Sequence, residues 1–111
     1  MIWRGEVYQV DLGQPVGHEP AFFRPAVVVS SDLFNNGPGE LVVVVPVTSA
    51  RYELRSHIEL EVGPSGLEHR SYARCDQIRV VSVERVRARR GAVSPGELSS
   101  IARALRFVLD L

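Results

Sequence analysis

The stretch from residue 25 to residue 47, PAVVVSSDLFNNGPGELVVVVPV, decides the fold of this chain. It contains two valine-rich apolar runs, Pro25–Ser30 and Leu41–Val47, and the loop between them includes Asn-Asn-Gly-Pro-Gly at residues 35–39. Valine favours strands because its branched side chain packs well on a pleated surface, whereas Asn and Gly adopt the positive φ values that a chain reversal needs. The stretch therefore predicts an antiparallel hairpin.

The pairing within this hairpin brings polar residues together at one end of the two strands. With the reversal centred near Asn36, the expected cross-strand pairs are Ala26 with Pro46, Val28 with Val44, and Arg24 with Thr48. Ser49 follows Thr48 directly. A guanidinium offers charge and paired donors, and hydroxyls donate to the remaining oxygens, so this group of side chains suits a phosphate. The same residues could equally be the polar ends of two buried strands.

Strand patterns continue on both sides of the hairpin. The additional expected strands are Glu6–Leu12, His57–Val62, Ser71–Val81 and Arg87–Val93. The sequence Gly-Pro-Ser-Gly at residues 63–66 predicts a turn, and Gly91 predicts a bend within the last strand. Short strands separated by turns in this way are typical of a small barrel.

The C-terminal segment is the one stretch with a clear helical pattern. Ser94, Pro95 and Glu97 match a capping box with proline at the first helical position. The apolar stripe that follows consists of Leu98, Ile101, Ala102, Leu105, Val108 and Leu109. We expect this amphipathic helix to close one side of the barrel, which gives a mainly β (α+β) fold class.

Composition limits the class of protein further. A chain of 111 residues suits a single domain, here residues 1–111, and its 13 basic and 13 acidic residues cancel. Every basic residue is arginine, which binds phosphate bidentately, although a GC-rich genome would give the same bias. Cys75 is the single cysteine, which excludes a disulfide framework. Since no signal peptide or membrane-spanning pattern is present, we expect a cytoplasmic protein.

Five stretches, in this order, resemble the MazF/PemK family of endoribonuclease toxins. They are Arg4–Leu12, Gly17–Pro20, Arg24–Ser30, Val45–Ser49 and Tyr72–Arg79. The resemblance implies a small SH3-like or CcdB-like β-barrel, a homodimer, and an active groove at the dimer interface. It also implies the toxin component of a type II toxin–antitoxin system, an mRNA interferase that causes growth arrest. Such an enzyme cuts single-stranded RNA by 2′-hydroxyl attack, needs no metal or other cofactor, and leaves 2′,3′-cyclic phosphate and 5′-hydroxyl ends.

The resemblance also assigns catalytic residues. The matching positions are Arg24, Thr48, Arg74, Asp76 and His18. Arg24 and Thr48 would stabilise the phosphate, because arginine rarely gives up its proton. Asp76 or His18 would then be the better base. Asp76 could instead be an ordinary strand residue that pairs with Arg74 or Arg79, and His18 could be a surface residue in a loop.

A second group of residues would bind the RNA. It consists of Ser49, Gln77, Glu19, Phe22, Phe23 and Arg79. Phe22 and Phe23 depart from the family, which has basic and small residues before the arginine, and they could either stack on bases or close a dimer interface. His57 and His69 are expected to be structural or exposed. Because the histidines and acids lack metal-ligand spacing, we expect no metal site.

The partners follow from the same likeness. We expect a homodimer, with Trp3, Phe22 and Phe23 as exposed apolar candidates, and a cognate antitoxin whose acidic, disordered tail covers the groove. A CcdB-like toxin that poisons DNA gyrase is the chief alternative, and the pairing of Arg24 with Thr48 argues against it. A non-catalytic nucleic-acid-binding barrel is a third possibility, for which a neutral total charge is poor support.

Overall fold

A computed structural model describes residues 1–14, 16–17 and 22–111. The elements, in chain order, are β1 (Glu6–Asp11), β2 (Phe23–Val28), α1 (Asp32–Asn35), β3 (Leu41–Thr48), β4 (His57–Leu60), β5 (Ser71–Arg74), β6 (Arg79–Ser82), β7 (Val86–Ala92) and α2 (Pro95–Leu109). Single turns of 3₁₀ helix at Cys75–Gln77 and Val83–Arg85 separate β5, β6 and β7. Within the described residues, no helix is both long and apolar enough to cross a membrane.

The hairpin predicted from the valine-rich runs is confirmed. Strands β2 and β3 are antiparallel, and the observed pairs are Ala26 with Pro46, Val27 with Val45, and Val28 with Val44. The loop between the strands differs from the expectation because it contains the helical turn α1, capped by the Ser31 side chain. The left-handed backbone in this loop falls on Glu40, at φ 54°, and not on the glycines.

The seven strands form one antiparallel sheet. The order is β4-β5-β3-β2-β1-β7, and β6 pairs with β3 outside this path. The segment after β4 returns to β7, where the Ala92 amide donates to the Pro64 carbonyl at 2.9 Å. The two ends of the sheet therefore meet, as expected for a small barrel, and the mainly β fold class is confirmed.

The strand predicted for residues 71–81 is wrong as a single element. Val47 of β3 pairs with Ala73 of β5, whereas Val44 of β3 pairs with Arg79 of β6. Three residues along β3 therefore correspond to six residues along the segment that pairs with it. The 3₁₀ turn at Cys75–Gln77 takes up the three extra residues and places Cys75 in the core. A ladder cannot absorb three extra residues without breaking, which is why two short strands replace one long strand.

The helix α2 packs on one of two core layers. Its capping box is confirmed: the Glu97 amide donates to Ser94 Oγ at 3.1 Å, and the Ser94 amide donates to Glu97 Oε1 at 2.8 Å. Ile101 and Ala104 are buried against valines of the sheet. Leu109, expected on the buried stripe, is instead 47% exposed.

Candidate active site

The polar ends of β2 and β3 open into one cavity. Arg24, Thr48 and Ser49 all line this open cleft of about 290 Å³, which we call the Arg24 cavity. Arg24 is exposed and Thr48 is half-buried. Thr48 Oγ1 accepts a hydrogen bond from the Ala50 amide at 3.1 Å, so the hydroxyl proton is available to a ligand. The strand pairing thus brings together the guanidinium and the two hydroxyls that the sequence indicated.

Three further charged or titratable side chains line the Arg24 cavity: Glu68, His69 and Arg90. His69 is exposed, as expected, but its place beside Arg24 was missed. The pairing of strands would have indicated this position of His69. Because β5 runs antiparallel to β3, the loop before β5 ends beside Thr48. Arg90 enters from β7, and no local sequence pattern connects it with this site.

A contact between two glycine-containing segments holds the loop before β5 against β7. Gly66 has φ +73°, and a Cβ there would lie 1.9 Å from the Arg90 carbonyl oxygen. At Gly91 a Cβ would lie 2.1 Å from the Pro64 carbonyl oxygen. Arg90 Nη2 also donates to the Gly66 carbonyl at 3.0 Å. Only glycines allow the backbones to approach this closely, and the contact positions residues 67–69 at the cavity.

Asp76 does not lie in a strand. It lies in the 3₁₀ turn at Cys75–Gln77 and accepts from His57 Nε2 at 3.1 Å, so the alternative of a strand residue paired with Arg74 or Arg79 is wrong. The turn redirects the carboxylate toward β4. The His57 side chain is 2% exposed and the Asp76 side chain 34% exposed, which leaves the carboxylate in contact with solvent. His57, expected to be structural or exposed, is a buried partner of a candidate catalytic residue.

Arg74 lies on the same face of the sheet as Thr48. Thr48 pairs with Tyr72, and Arg74 is two residues further along β5, about 7 Å away. Its guanidinium carbon lies 5.9 Å from the ring centroid of Tyr52. Arg74 and Asp76 are outside the lining of the Arg24 cavity. Arg74 continues the face of Thr48 along β5, whereas Asp76 lies in the 3₁₀ turn that follows β5.

The candidate RNA-binding residues are spread more widely. Ser49 lines the Arg24 cavity, and Gln77 lies in the 3₁₀ turn with Asp76. Arg79 is tied to the scaffold, since its Nη1 donates to the Leu12 carbonyl at 3.2 Å. Phe22 and Phe23, at the start of β2, are 59% and 54% exposed. His18 and Glu19 lie outside the described residues.

Cys75 is unsuited to a role as a nucleophile or ligand. Its thiol is free and fully buried, and burial raises the pKa of Cys75 to about 12. The thiol therefore stays protonated and behaves as a small apolar side chain. Across residues 1–14, 16–17 and 22–111, no group of three or more histidine, cysteine or acidic side chains could hold a metal ion.

Comparisons with known proteins agree with this fold. The sequence profile of the PemK-like, MazF-like toxins of type II toxin–antitoxin systems matches residues 3–109. The chain is 39% identical to Endoribonuclease MazF9 of Mycobacterium tuberculosis over 116 residues, covering 100% of this chain and 98% of that protein. It is 27% identical to Endoribonuclease EndoA of Bacillus subtilis over 112 residues, covering 100% and 97%.

Solved structures give the same result. An endoribonuclease in complex with its cognate antitoxin, from a mycobacterial species, matches with a TM-score of 0.81 and 28% identity, covering 100% of this chain and 97% of that one. MazF from Deinococcus radiodurans shares the fold, with a TM-score of 0.86 at 21% identity and coverage of 99% and 97%. The gyrase-poisoning alternative is therefore not favoured. The chain belongs to the family of PemK-like, MazF-like toxins of type II toxin–antitoxin systems and is an endoribonuclease.

Proposed function

We propose that this toxin cuts single-stranded RNA at the Arg24 cavity by attack of a 2′-hydroxyl on the adjacent phosphate. The products are a 2′,3′-cyclic phosphate and a 5′-hydroxyl. The observation that carries the proposal is that Arg24, Thr48 and Ser49 line one open cleft at the ends of paired strands. Rigid strands hold these donors in place before the substrate arrives, which is the condition for strong stabilisation of a transition state.

The cavity supplies what this reaction needs at the phosphorus. Negative charge develops on the non-bridging oxygens as the 2′-oxygen attacks, and the Arg24 guanidinium opposes that charge with two parallel donors. The hydroxyls of Thr48 and Ser49 donate to the remaining positions. Because a guanidinium supplies the positive charge, the proposed mechanism needs no metal ion. The requirement for a 2′-hydroxyl restricts cleavage to RNA.

Asp76 is the proposed base that takes the proton of the 2′-hydroxyl. Its carboxylate is partly exposed, lies in the turn directly after β5, and is held by His57. This arrangement leaves carboxylate lone pairs for a substrate proton. Arg74 then contributes charge beside the phosphate, since an arginine keeps its proton near neutral pH.

Exposed side chains around the cavity would hold the RNA strand. Phe22 and Phe23 directly precede Arg24 and are exposed, so they can stack on unpaired bases, which is worth about 1 to 3 kcal/mol per base. Gln77, Glu19 and Arg79 remain candidates for hydrogen bonds to bases or phosphates. Stacking of this kind requires bases that are not already paired, so the proposed substrate is single-stranded.

The test is cleavage of a long RNA by the purified protein in excess EDTA. We expect the RNA to be cut at a short sequence and the all-DNA equivalent to stay intact, because the attacking group is the 2′-hydroxyl. Sequencing of the new 5′ ends would identify the cut site. A second RNA with hydrogen in place of the single 2′-hydroxyl at that site should bind but not be cut. Dependence on added magnesium, or cleavage of the modified RNA, would contradict the mechanism.

The proposed partners follow from the charge of the site. Arg24 and Arg90 make the cavity attractive to an acidic segment, so we propose a cognate antitoxin with an acidic, disordered tail that covers the cleft. The proposed working state is a homodimer in the cytoplasm. RNA is available there, and the reducing conditions are compatible with the free thiol of Cys75.

A further inference from the structure

His69 stands out among the side chains of the Arg24 cavity. Its imidazole is exposed, lines the cleft beside Arg24 and Thr48, and has no hydrogen-bond partner among the residues that the structure describes. His57, by contrast, is buried and committed to Asp76. Histidine is the side chain best suited to exchange a proton near neutral pH. Of the two histidines that the structure describes, His69 is therefore the one whose imidazole a bound phosphate group would meet.

The backbone at His69 is held in place. The Ser71 hydroxyl, on a buried side chain, donates to the His69 carbonyl at 2.8 Å. On the other side, Leu67 is buried and its amide donates to Ser65 Oγ at 3.3 Å. The ring of His69 thus projects from a segment anchored at both ends, which is how a group that must meet a reacting atom is presented.

His69 and Asp76 lie on either side, along the chain, of the residue that pairs with Thr48. Thr48 pairs with Tyr72. His69 precedes Tyr72 by three residues and lines the Arg24 cavity, whereas Asp76 follows Tyr72 by four residues and lies in the turn after β5, outside that lining. In phosphoryl transfer the attacking and leaving oxygens lie roughly in line across phosphorus, and the base and the acid must therefore also lie on opposite sides.

We propose that His69 is the general acid of the cleavage reaction. The 2′-oxygen forms a bond to phosphorus as Asp76 takes its proton, the bond from phosphorus to the 5′-oxygen breaks, and the His69 imidazolium gives its proton to that oxygen. The step leaves His69 neutral and Asp76 protonated; Asp76 then releases its proton to water, and His69 takes one up from water. This inference rests on the proposed function of the Arg24 cavity and adds a residue to it.

The charged groups that face His69 come from three elements. Arg24 projects from β2, Arg90 from β7, and Glu68 is its neighbour in the loop before β5. Glu68 is the carboxylate that lines the cavity directly beside His69 in the chain, so Glu68→Gln is the matched control for His69→Gln. The experiment must therefore distinguish the effect of losing His69 from the effect of losing Glu68.

The test uses two RNA substrates that differ in one atom. Both carry the cut sequence found by 5′-end sequencing, and in the second RNA the 5′-bridging oxygen at the cut site is replaced by sulfur. A thiolate leaves without protonation, so this substrate needs no general acid. We expect His69→Gln to slow cleavage of the oxygen substrate by about 100- to 10,000-fold and to cut the sulfur substrate at a rate close to that of the unmodified enzyme.

The pH dependence gives a second measurement. With the oxygen substrate, kcat/KM of the unmodified enzyme should fall on the alkaline side as the imidazolium loses its proton, and His69→Gln should lack this fall. The matched control is Glu68→Gln, which should retain it. Circular dichroism and binding of the 2′-deoxy RNA should show that His69→Gln remains folded and competent to bind.

The outcomes separate this proposal from the one on which it rests. Equal slowing of both substrates by His69→Gln, or slowing of neither, would overturn the role as general acid. Full activity of Arg24→Ala would instead show that the cavity is not the active site. If Arg24→Ala loses activity and His69→Gln cuts the sulfur substrate at a normal rate, the results support both the active site at the Arg24 cavity and the role of His69 as general acid.

Discussion

At the scale of single residues, Arg24 and Thr48 carry the clearest prediction. Arg24→Ala removes a fixed charge from the developing phosphorane, and loss of one such preorganised group typically lowers kcat by about 100- to 1000-fold. Thr48→Ala removes one hydroxyl and should cost less. Both variants should fold, since Arg24 is exposed and Thr48 only half-buried. Single-turnover cleavage of the cut-site RNA measures the two rates, and the arginine variant should also be the weaker RNA binder.

The matched control at this scale is Arg106→Ala. Arg106 is an exposed arginine of α2, distant in sequence from β2 and absent from the lining of the Arg24 cavity. Loss of Arg106 changes the total charge by the same amount as loss of Arg24. The cleavage rate of Arg106→Ala therefore measures the effect of total charge alone. A rate for Arg24→Ala equal to that of the control would show that the active site has been misplaced.

At the scale of elements, Glu6 connects β1 with β7 and with the N-terminal segment. Its carboxylate accepts from the Trp3 amide at 2.6 Å, from the Tyr8 hydroxyl at 3.0 Å and from Arg89 Nε. Burial opposes the ionisation of Glu6, but these hydrogen bonds outweigh it and hold the pKa of Glu6 below its ordinary value. Burial and the hydrogen bond to Glu6 together raise the pKa of Tyr8.

This network predicts a pH-dependent contribution to stability. Because the pKa of Glu6 is lower in the folded chain than in the unfolded chain, its stabilisation is present above the unfolded pKa and is lost as pH falls through the folded pKa. Glu6→Gln should therefore lower the free energy of unfolding by about 1 kcal/mol at pH 7 and by much less at pH 3. Urea denaturation across this range measures the difference, and a constant difference would argue against the charged network.

At the scale of the whole molecule, exposed apolar surface lies at two separate places. Phe22 and Phe23 stand at the start of β2, next to the Arg24 cavity. Trp3, 45% exposed, lies near the other end of β2, where the Gly5 amide donates to the Val28 carbonyl at 2.8 Å. The two ends of a six-residue strand are about 17 Å apart, so these residues do not form one patch. A dimer would bury apolar surface that a single chain exposes to water.

The expected state in solution is a homodimer. Light scattering at micromolar concentration should give twice the chain mass of 12.3 kDa, because exposed aromatic side chains are otherwise costly to a chain of this size. A dilution series measures the dissociation constant. A mass of 12.3 kDa throughout the micromolar range would contradict the prediction.

Local patterns were enough for the hairpin, the capping box and the register that leads Arg24 and Thr48 to the same end of the hairpin. Branched side chains, turn-forming residues and a cap act on neighbours a few residues away, so their effect can be read from the order of residues alone. The resemblance to the toxin family added the type of chemistry. It did not give the position of Asp76 relative to His57, because the 3₁₀ turn that sets it depends on how β5 and β6 share the edge of β3.

The sequence by itself therefore determined the central strands, the C-terminal helix and the placement of Arg24 and Thr48 at one end of the hairpin. Only the tertiary structure decided which other side chains share the cavity, above all His69 and Arg90. They arrive there because the loop before β5 is held against β7 by the close approach of Gly66 and Gly91. Contacts between residues so far apart in the chain depend on the closure of the whole sheet, which no local pattern encodes.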